Sequence, residues 1–163
     1  MESNHLKPVM VTGAVITVSS SRKPENDTSG KTLIDLLSAA GIEVTHYAIV
    51  PDDLEQIRSE VHTALSRATC VIVTGGTGLT PDDVTIEAVA PLLEKTIDGF
   101  GELFRLKSYE EIGTSAILSR AIAGIVAGRV VFCIPGSTKA VTLAAQEIII
   151  PEIRHILTHA SPR

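Results

Sequence analysis

The residues Thr74-Gly75-Gly76-Thr77-Gly78 close an apolar, β-branched run, Val71-Ile72-Val73, and lead into Leu79-Thr80-Pro81-Asp82-Asp83. Glycine lets a backbone approach a ligand closely and take positive φ without a Cβ penalty. At the carboxyl end of a parallel strand, such a turn is a usual seat for phosphate. Free amides and the two threonine hydroxyls would together cradle phosphate oxygens. Carboxylates beside such a site point instead to Mg²⁺ or to a proton acceptor. In one reading Thr80 is a helix N-cap, Pro81 the first helical residue, and the acids occupy the first turn. That accounts for one acid and leaves the other free to face a ligand, with Thr85 and Glu87 further along the helix and outside the site.

A second acidic pair, Asp52-Asp53, follows Pro51. Asp53 suits a helix N-cap, whereas Asp52, at a strand tip, is freer to coordinate Mg²⁺. Carboxylates from two separate strand ends suit metal-assisted phosphoryl or nucleotidyl transfer. Late in the chain, Pro135-Gly136-Ser137 ends another apolar run. Ser137 reads as an N-cap and, equally, as part of an anion site with Lys139 as counter-charge.

Several familiar chemistries do not fit. After Gly76 and Gly78, the third glycine of a dinucleotide fingerprint is replaced by Pro81. Gly30-Lys31-Thr32 resembles a P-loop ending, but Glu25 stands where its first glycine belongs. His155 and His159 have helix-face spacing for a metal but lack a third ligand; with His5, His46 and His62 they read as scattered residues. Cys70 and Cys133 sit inside apolar runs and fit no metal motif; they are expected reduced and buried. No serine elbow or catalytic cysteine context is present.

The chain has 163 residues, 44% hydrophobic and 20% charged, with a net charge of −5. This is a globular balance, long enough for one domain with a sizeable core. The acidic excess and the 3% aromatic content without Trp argue against a nucleic-acid surface or stacking platform. No apolar run reaches membrane-spanning length, and the polar start Met1-Glu2-Ser3-Asn4-His5 predicts no signal peptide. A single domain over residues 1–163 in the cytoplasm is expected.

Hydrophobic patterning supplies the frame. Strands are expected over Val9–Val18, Ile42–Val50, Cys70–Val73 and Val130–Ile134. Helices are expected around Leu33–Ala40, Leu54–Leu65 and Val84–Ala90, then over Glu102–Glu111, Thr114–Ala123 and Thr138–Ile149, with one more from Pro151. Asp98-Gly99-Phe100-Gly101 reads as a turn. Four alternations of strand and helix mean a parallel sheet covered on both faces. In such sheets ligands sit outside the carboxyl ends of the strands. The long loop Ser19–Gly30, Pro51-Asp52, the glycine loop and Pro135-Gly136-Ser137 all fall there.

With these motifs in this order, the chain resembles the MoaB/MogA family of molybdenum-cofactor biosynthesis proteins, which includes the G domain of gephyrin. The likeness runs from about Val9 to Ile156. It is supported by Asp27-Thr28-Ser29-Gly30, by Gly99-Phe100-Gly101-Glu102-Leu103-Phe104-Arg105 and by Ile112-Gly113-Thr114-Ser115 through Arg120. Glu110-Glu111-Ile112-Gly113-Thr114-Ser115 resembles the MoaB branch. The resemblance implies a three-layer α/β/α fold with a mostly parallel central sheet. It also implies binding of molybdopterin and transfer of AMP from Mg-ATP to the pterin phosphate, releasing pyrophosphate. A separate protein would then insert the metal. Carried over, Asp52 and Asp83 would be catalytic, with Asp52 on Mg²⁺. Thr74–Gly78, Asp27, Ser29, Pro135, Gly136 and Ser137 would bind substrate, as would Glu102 and Ser115. A trimer, or a hexamer of two trimers, is implied. Other readings are a molybdopterin-binding protein without transfer and a structural assembly module.

Overall fold

The computed structural model describes residues 9–162; His5 and the polar start lie outside them. Its sheet has six strands in the order β2-β1-β3-β6-β5-β4. These are β1 (Thr12–Val18), β2 (Glu43–Val50), β3 (Cys70–Thr74), β4 (Lys95–Thr96), β5 (Ile122–Val126) and β6 (Arg129–Ile134). β2, β1, β3 and β6 are parallel, and β5 and β4 run antiparallel at one edge. Helices α1 (Thr28–Ala39), α2 (Leu54–Leu65), α3 (Thr85–Val89), α4 (Asp98–Ile112), α5 (Thr138–Ala144) and α6 (Ile150–Ala160) cover both faces.

Strand alternation divides the core in two. Val15, Ile72 and Phe132 point into the layer under α1, α4, α5 and α6; Ile16, Val73 and Val131 point toward α2 and α3. The central strands β1, β3 and β6 are largely apolar on both sides because both faces are covered. Cys70 faces the first layer and Cys133 the second, so the sheet itself separates the thiols. Burial pushes the Cys70 thiol up to about 12 and raises that of Cys133 as well.

The four expected parallel strands are present, and two more accompany them. Ile122–Val126 lies in the stretch where a helix over Thr114–Ala123 is expected; only Gly113–Leu118 is helical there, as a short 3₁₀ segment. The apolar spacing of Ala116, Ile117 and Ala121 mimics a helix period. The better cue is the two-residue connection Ala127-Gly128, both at positive φ, which joins β5 to β6 as a tight hairpin. β4 is too short to leave a pattern.

Asp98–Gly101 is the first turn of α4 and not a bend. Gly101 serves close packing, since a Cβ there would lie 2.8 Å from the Ala121 carbonyl oxygen. Pro151 does not interrupt the final helical run. A π-type turn over Ala145–Ile149 precedes it and shifts the ladder where the proline has no N–H to offer.

β1 is flanked by β2 on one side and β3 on the other. The chain therefore reverses its direction of travel across the sheet at β1/β3. The carboxyl ends of these two strands splay the following loops apart and leave a crevice.

Candidate active site

The crevice has two joined lobes. A polar lobe of about 550 Å³ is walled by Val18–Arg22 after β1, Asp52 after β2, Thr74 and Gly76 after β3, and Gly136-Ser137 after β6. An apolar lobe of about 350 Å³ continues beneath the glycine loop and is lined by Phe104, Ile112, Ala116 and Leu118 together with Ser115 and Pro135. Gly76, Asp83, Gly136 and Ser137 border both. The strand ends thus bring Asp52 and Asp83 to one cavity.

Asp52 is held by reciprocal bonds with Ser20. The Ser20 hydroxyl donates to Asp52 Oδ2 at 2.8 Å, and the Asp52 amide donates to Ser20 Oγ at 3.0 Å. Asp53 takes the capping role, accepting from the Gln56 amide. Asp83 is not in a helix. α3 begins only at Thr85, and Asp83 Oδ2 accepts from the Thr80 amide and hydroxyl at 3.0 and 2.9 Å. The acid thus closes the turn that Thr80 was expected to cap, because the local bond to Thr80 competes with helix formation. Its carboxylate lies over Gly78, where a Cβ would stand 2.7 Å from Oδ2. Asp82 is exposed and borders neither lobe.

The glycine loop is only partly as expected. Thr74 spends its hydroxyl on the Pro135 carbonyl, and the Gly75 amide is used by Ile134 in the sheet. Thr85 donates its buried hydroxyl to the Gly75 carbonyl from below. Gly75 and Gly76 have φ of +105° and +69°, and Cβ atoms there would meet Val18 O at 2.5 Å and Thr85 Oγ1 at 2.3 Å. Among the described residues, no hydrogen bond engages the amides of Gly76, Thr77 and Gly78. These three amides, with the Thr77 hydroxyl, which also has no partner and borders the apolar lobe, are the donors left for an anion, whereas the Thr74 hydroxyl is not.

One side chain braces the whole loop. Arg120 donates from its amide to Thr77 O, from Nε to Gly78 O and from Nη2 to Asp83 O. Both guanidinium nitrogens of its fork also reach Glu87. That hydrogen-bonded pairing holds the Glu87 carboxyl below its usual range and raises the Arg120 guanidinium.

Other expected binding residues take supporting places. Asp27 is fully buried and borders neither lobe. It accepts from Thr17, Tyr47 and the Gly30 amide. Burial alone would raise its pKa, but these donors and the Arg22 charge outweigh that and hold it below 3.8. Ser29 donates to Gly136 O at 2.7 Å and so ties α1 to the β6 loop. Ser137 caps α5 through the Ala140 amide; Lys139 is exposed and outside both lobes. Glu102 opens onto a separate cleft beside β5, because α4 turns Phe100 and Phe104 into the core and Glu102 away from them. His155 and His159 are exposed and pack edge-to-face. Among the described residues no three His, Cys, Asp or Glu side chains gather to hold a metal.

Sequence reasoning missed Ser20, Arg22, Phe104 and Arg120 as site residues. Ser20 and Arg22 follow from the strand-end logic applied to β1. Arg120, 37 residues from Asp83, leaves no local signal.

The family model for a probable molybdopterin binding domain matches residues 14–155. The chain belongs to that family. It is 51% identical over 148 residues to the molybdenum cofactor biosynthesis protein B of Staphylococcus carnosus (strain TM300), covering 88% of this chain and 87% of that one. A crystal structure of a molybdenum cofactor biosynthesis protein B superposes with a TM-score of 0.90 at 48% identity, covering 94% and 98% of the two chains. The tungsten cofactor synthesizing protein MoaB from Pyrococcus furiosus gives 0.87 at 43%, covering 96% and 100%. The three-layer α/β architecture is that of these structures, and the family's role is molybdenum cofactor biosynthesis. No helix among the described residues is long and apolar enough to cross a membrane.

Proposed function

We propose that the two-lobed crevice is an adenylyltransferase site, in which the phosphate of molybdopterin attacks the α-phosphorus of Mg-ATP. The observation that carries this reading is the meeting of Asp52 and Asp83 beside unengaged glycine-loop amides at the β1/β3 crevice. The apolar lobe suits a flat heterocycle, and the polar lobe suits phosphates. The new bond joins a pterin phosphate oxygen to the α-phosphorus; the bond to the β-phosphate oxygen breaks, and pyrophosphate leaves. No general base is needed, since the attacking phosphate is already ionised at neutral pH. The protein's part is to align the two substrates and place amide dipoles against developing charge.

The donor set fits magnesium that arrives with the nucleotide. Two carboxylates face the cavity, and Mg²⁺ commonly takes one or two carboxylates and completes its shell with phosphates and water. Asp52 would hold it, and Asp83 would position the substrates. The ion supplies charge neutralisation on the triphosphate and the departing pyrophosphate.

Purified protein given Mg-ATP and molybdopterin should release pyrophosphate. Asp83→Asn should lower that release about a hundredfold or more while retaining the thermal transition; full activity in this variant refutes the assignment. Molybdopterin binding without pyrophosphate release in the wild type would make the protein a carrier. The adenylylated product would pass to a separate metal-insertion protein in the cytoplasm.

Exposed Leu103, Leu106 and Tyr109 on α4, with Ile117 beyond it, are the apolar side chains that copies of this chain would cover in a trimer or hexamer. Light scattering that returns a monomer would overturn this.

A further inference from the structure

We infer that Arg22 is the cationic ligand that receives the substrate phosphate in the polar lobe. This rests on the adenylyltransferase reading and adds to it a residue that the family resemblance did not supply. Among the described residues Arg22 is the only basic side chain bordering either lobe; Asp52 and Asp83 border the polar lobe with it. One guanidinium against two carboxylates leaves the protein's own charge in the lobe net negative, so the cation counts most where it meets the phosphate directly. A planar fork is the side chain best matched to phosphate oxygens.

The surroundings of Arg22 hold it near the lobe without committing it. The Ser19 hydroxyl accepts from the Arg22 and Ser21 amides. The Ser19 amide in turn donates to Val50 O at 2.8 Å. The backbone is thereby fixed at the rim, while the side chain remains 38% exposed. Its Nη1 lies 3.3 Å from Ser29 Oγ and 3.6 Å from Asp27 Oδ1, longer than a well-formed charged hydrogen bond. Neither partner has it as its sole donor. Asp27 has Thr17, Tyr47 and the Gly30 amide, and Ser29 is bonded to Gly136. The guanidinium can turn toward an incoming phosphate and leave no buried group unsatisfied. The Asp27 charge keeps it parked beside the lobe between turnovers.

The ligand chemistry is a phosphate, which either ATP or the pterin could bring. Calorimetric titration of wild type, Arg22→Ala and Arg22→Lys with Mg-ATP, with adenosine and with molybdopterin separates these sources. Arg22→Ala should weaken the phosphate-bearing ligand it serves by about tenfold or more, and adenosine less than twofold. Loss confined to Mg-ATP assigns the nucleotide phosphates; loss confined to molybdopterin assigns the pterin phosphate. Arg22→Lys should recover part of the affinity, since it restores charge without the fork. Arg22→Ala should lower the melting transition slightly, since buried Asp27 loses a nearby positive charge, and Arg22→Lys should restore it; both stay folded at the titration temperature. If Arg22→Ala binds both phosphate ligands as wild type does, while Asp83→Asn still abolishes transfer, the inference fails and the enzyme reading survives. If wild type binds neither Mg-ATP nor molybdopterin, both fail.

Discussion

The loop after β3 is tied from every side, whereas the loop after β1 is tied mainly at its two ends. Between Thr74 and Asp83, the chain is held by Thr85 from beneath, by Pro135 O laterally and by the Arg120 guanidinium from above. Between Ser19 and Asn26 most residues are exposed, and the Arg22 side chain rests on long contacts. Both loops wall the same lobe. The difference separates a fixed template, which presents amides and Asp83 in one geometry, from an adjustable arm that can follow a substrate. Catalysis by alignment needs the first; admission and release of a charged ligand need the second.

The contrast can be broken most forcefully at Gly76. Its positive φ and the 2.3 Å approach of Thr85 Oγ1 should make Gly76→Ala cost about 3 kcal/mol, measurable by urea denaturation. Arg120→Ala should follow, at about 2 kcal/mol from its lost backbone bonds, with transfer falling more than the melting shift explains. Arg120→Lys should not restore it, because one ammonium cannot span Gly78, Asp83 and Glu87.

Asp27→Asn tests the base of the adjustable side. Its carboxyl is held below 3.8 in the folded chain, so its stabilising contribution is complete above the unfolded pKa and is lost as pH falls through the lower folded value. The variant should be less stable than wild type at neutral pH. The gap should close in acid; a constant gap down to pH 2 would contradict the linkage. Ser20→Ala should be the mildest. Stability should change by less than about 0.5 kcal/mol, while transfer falls about tenfold from loss of Asp52 orientation.

The parallel half of the sheet was legible because β3 and β6 are short apolar runs ended by glycine or proline, β2 is ended by Pro51, and β1 gives way to a polar serine-rich loop. The strand-end rule then located the crevice with no knowledge of side-chain positions. The antiparallel edge was not legible, since Ile122–Val126 shares its apolar spacing with the preceding helical turn. Within the site, residue type failed where a group has two possible uses. Thr74 could have offered its hydroxyl outward, but Pro135 O takes it; Asp27 could have faced the cavity, but Thr17, Tyr47 and Gly30 surround it. Glu102 was displaced by helix phase alone. Arg120 stands far along the chain from the loop it braces, and only tertiary structure joins them.

The two thiols sit on opposite sides of the central strands, each in its own packed layer. Alkylation of one samples the opening of the α1–α4 layer, and alkylation of the other samples the α2–α3 layer. The chain therefore carries a pair of internal clocks: equal rates would mean that the layers come apart together, and unequal rates would reveal which peels first.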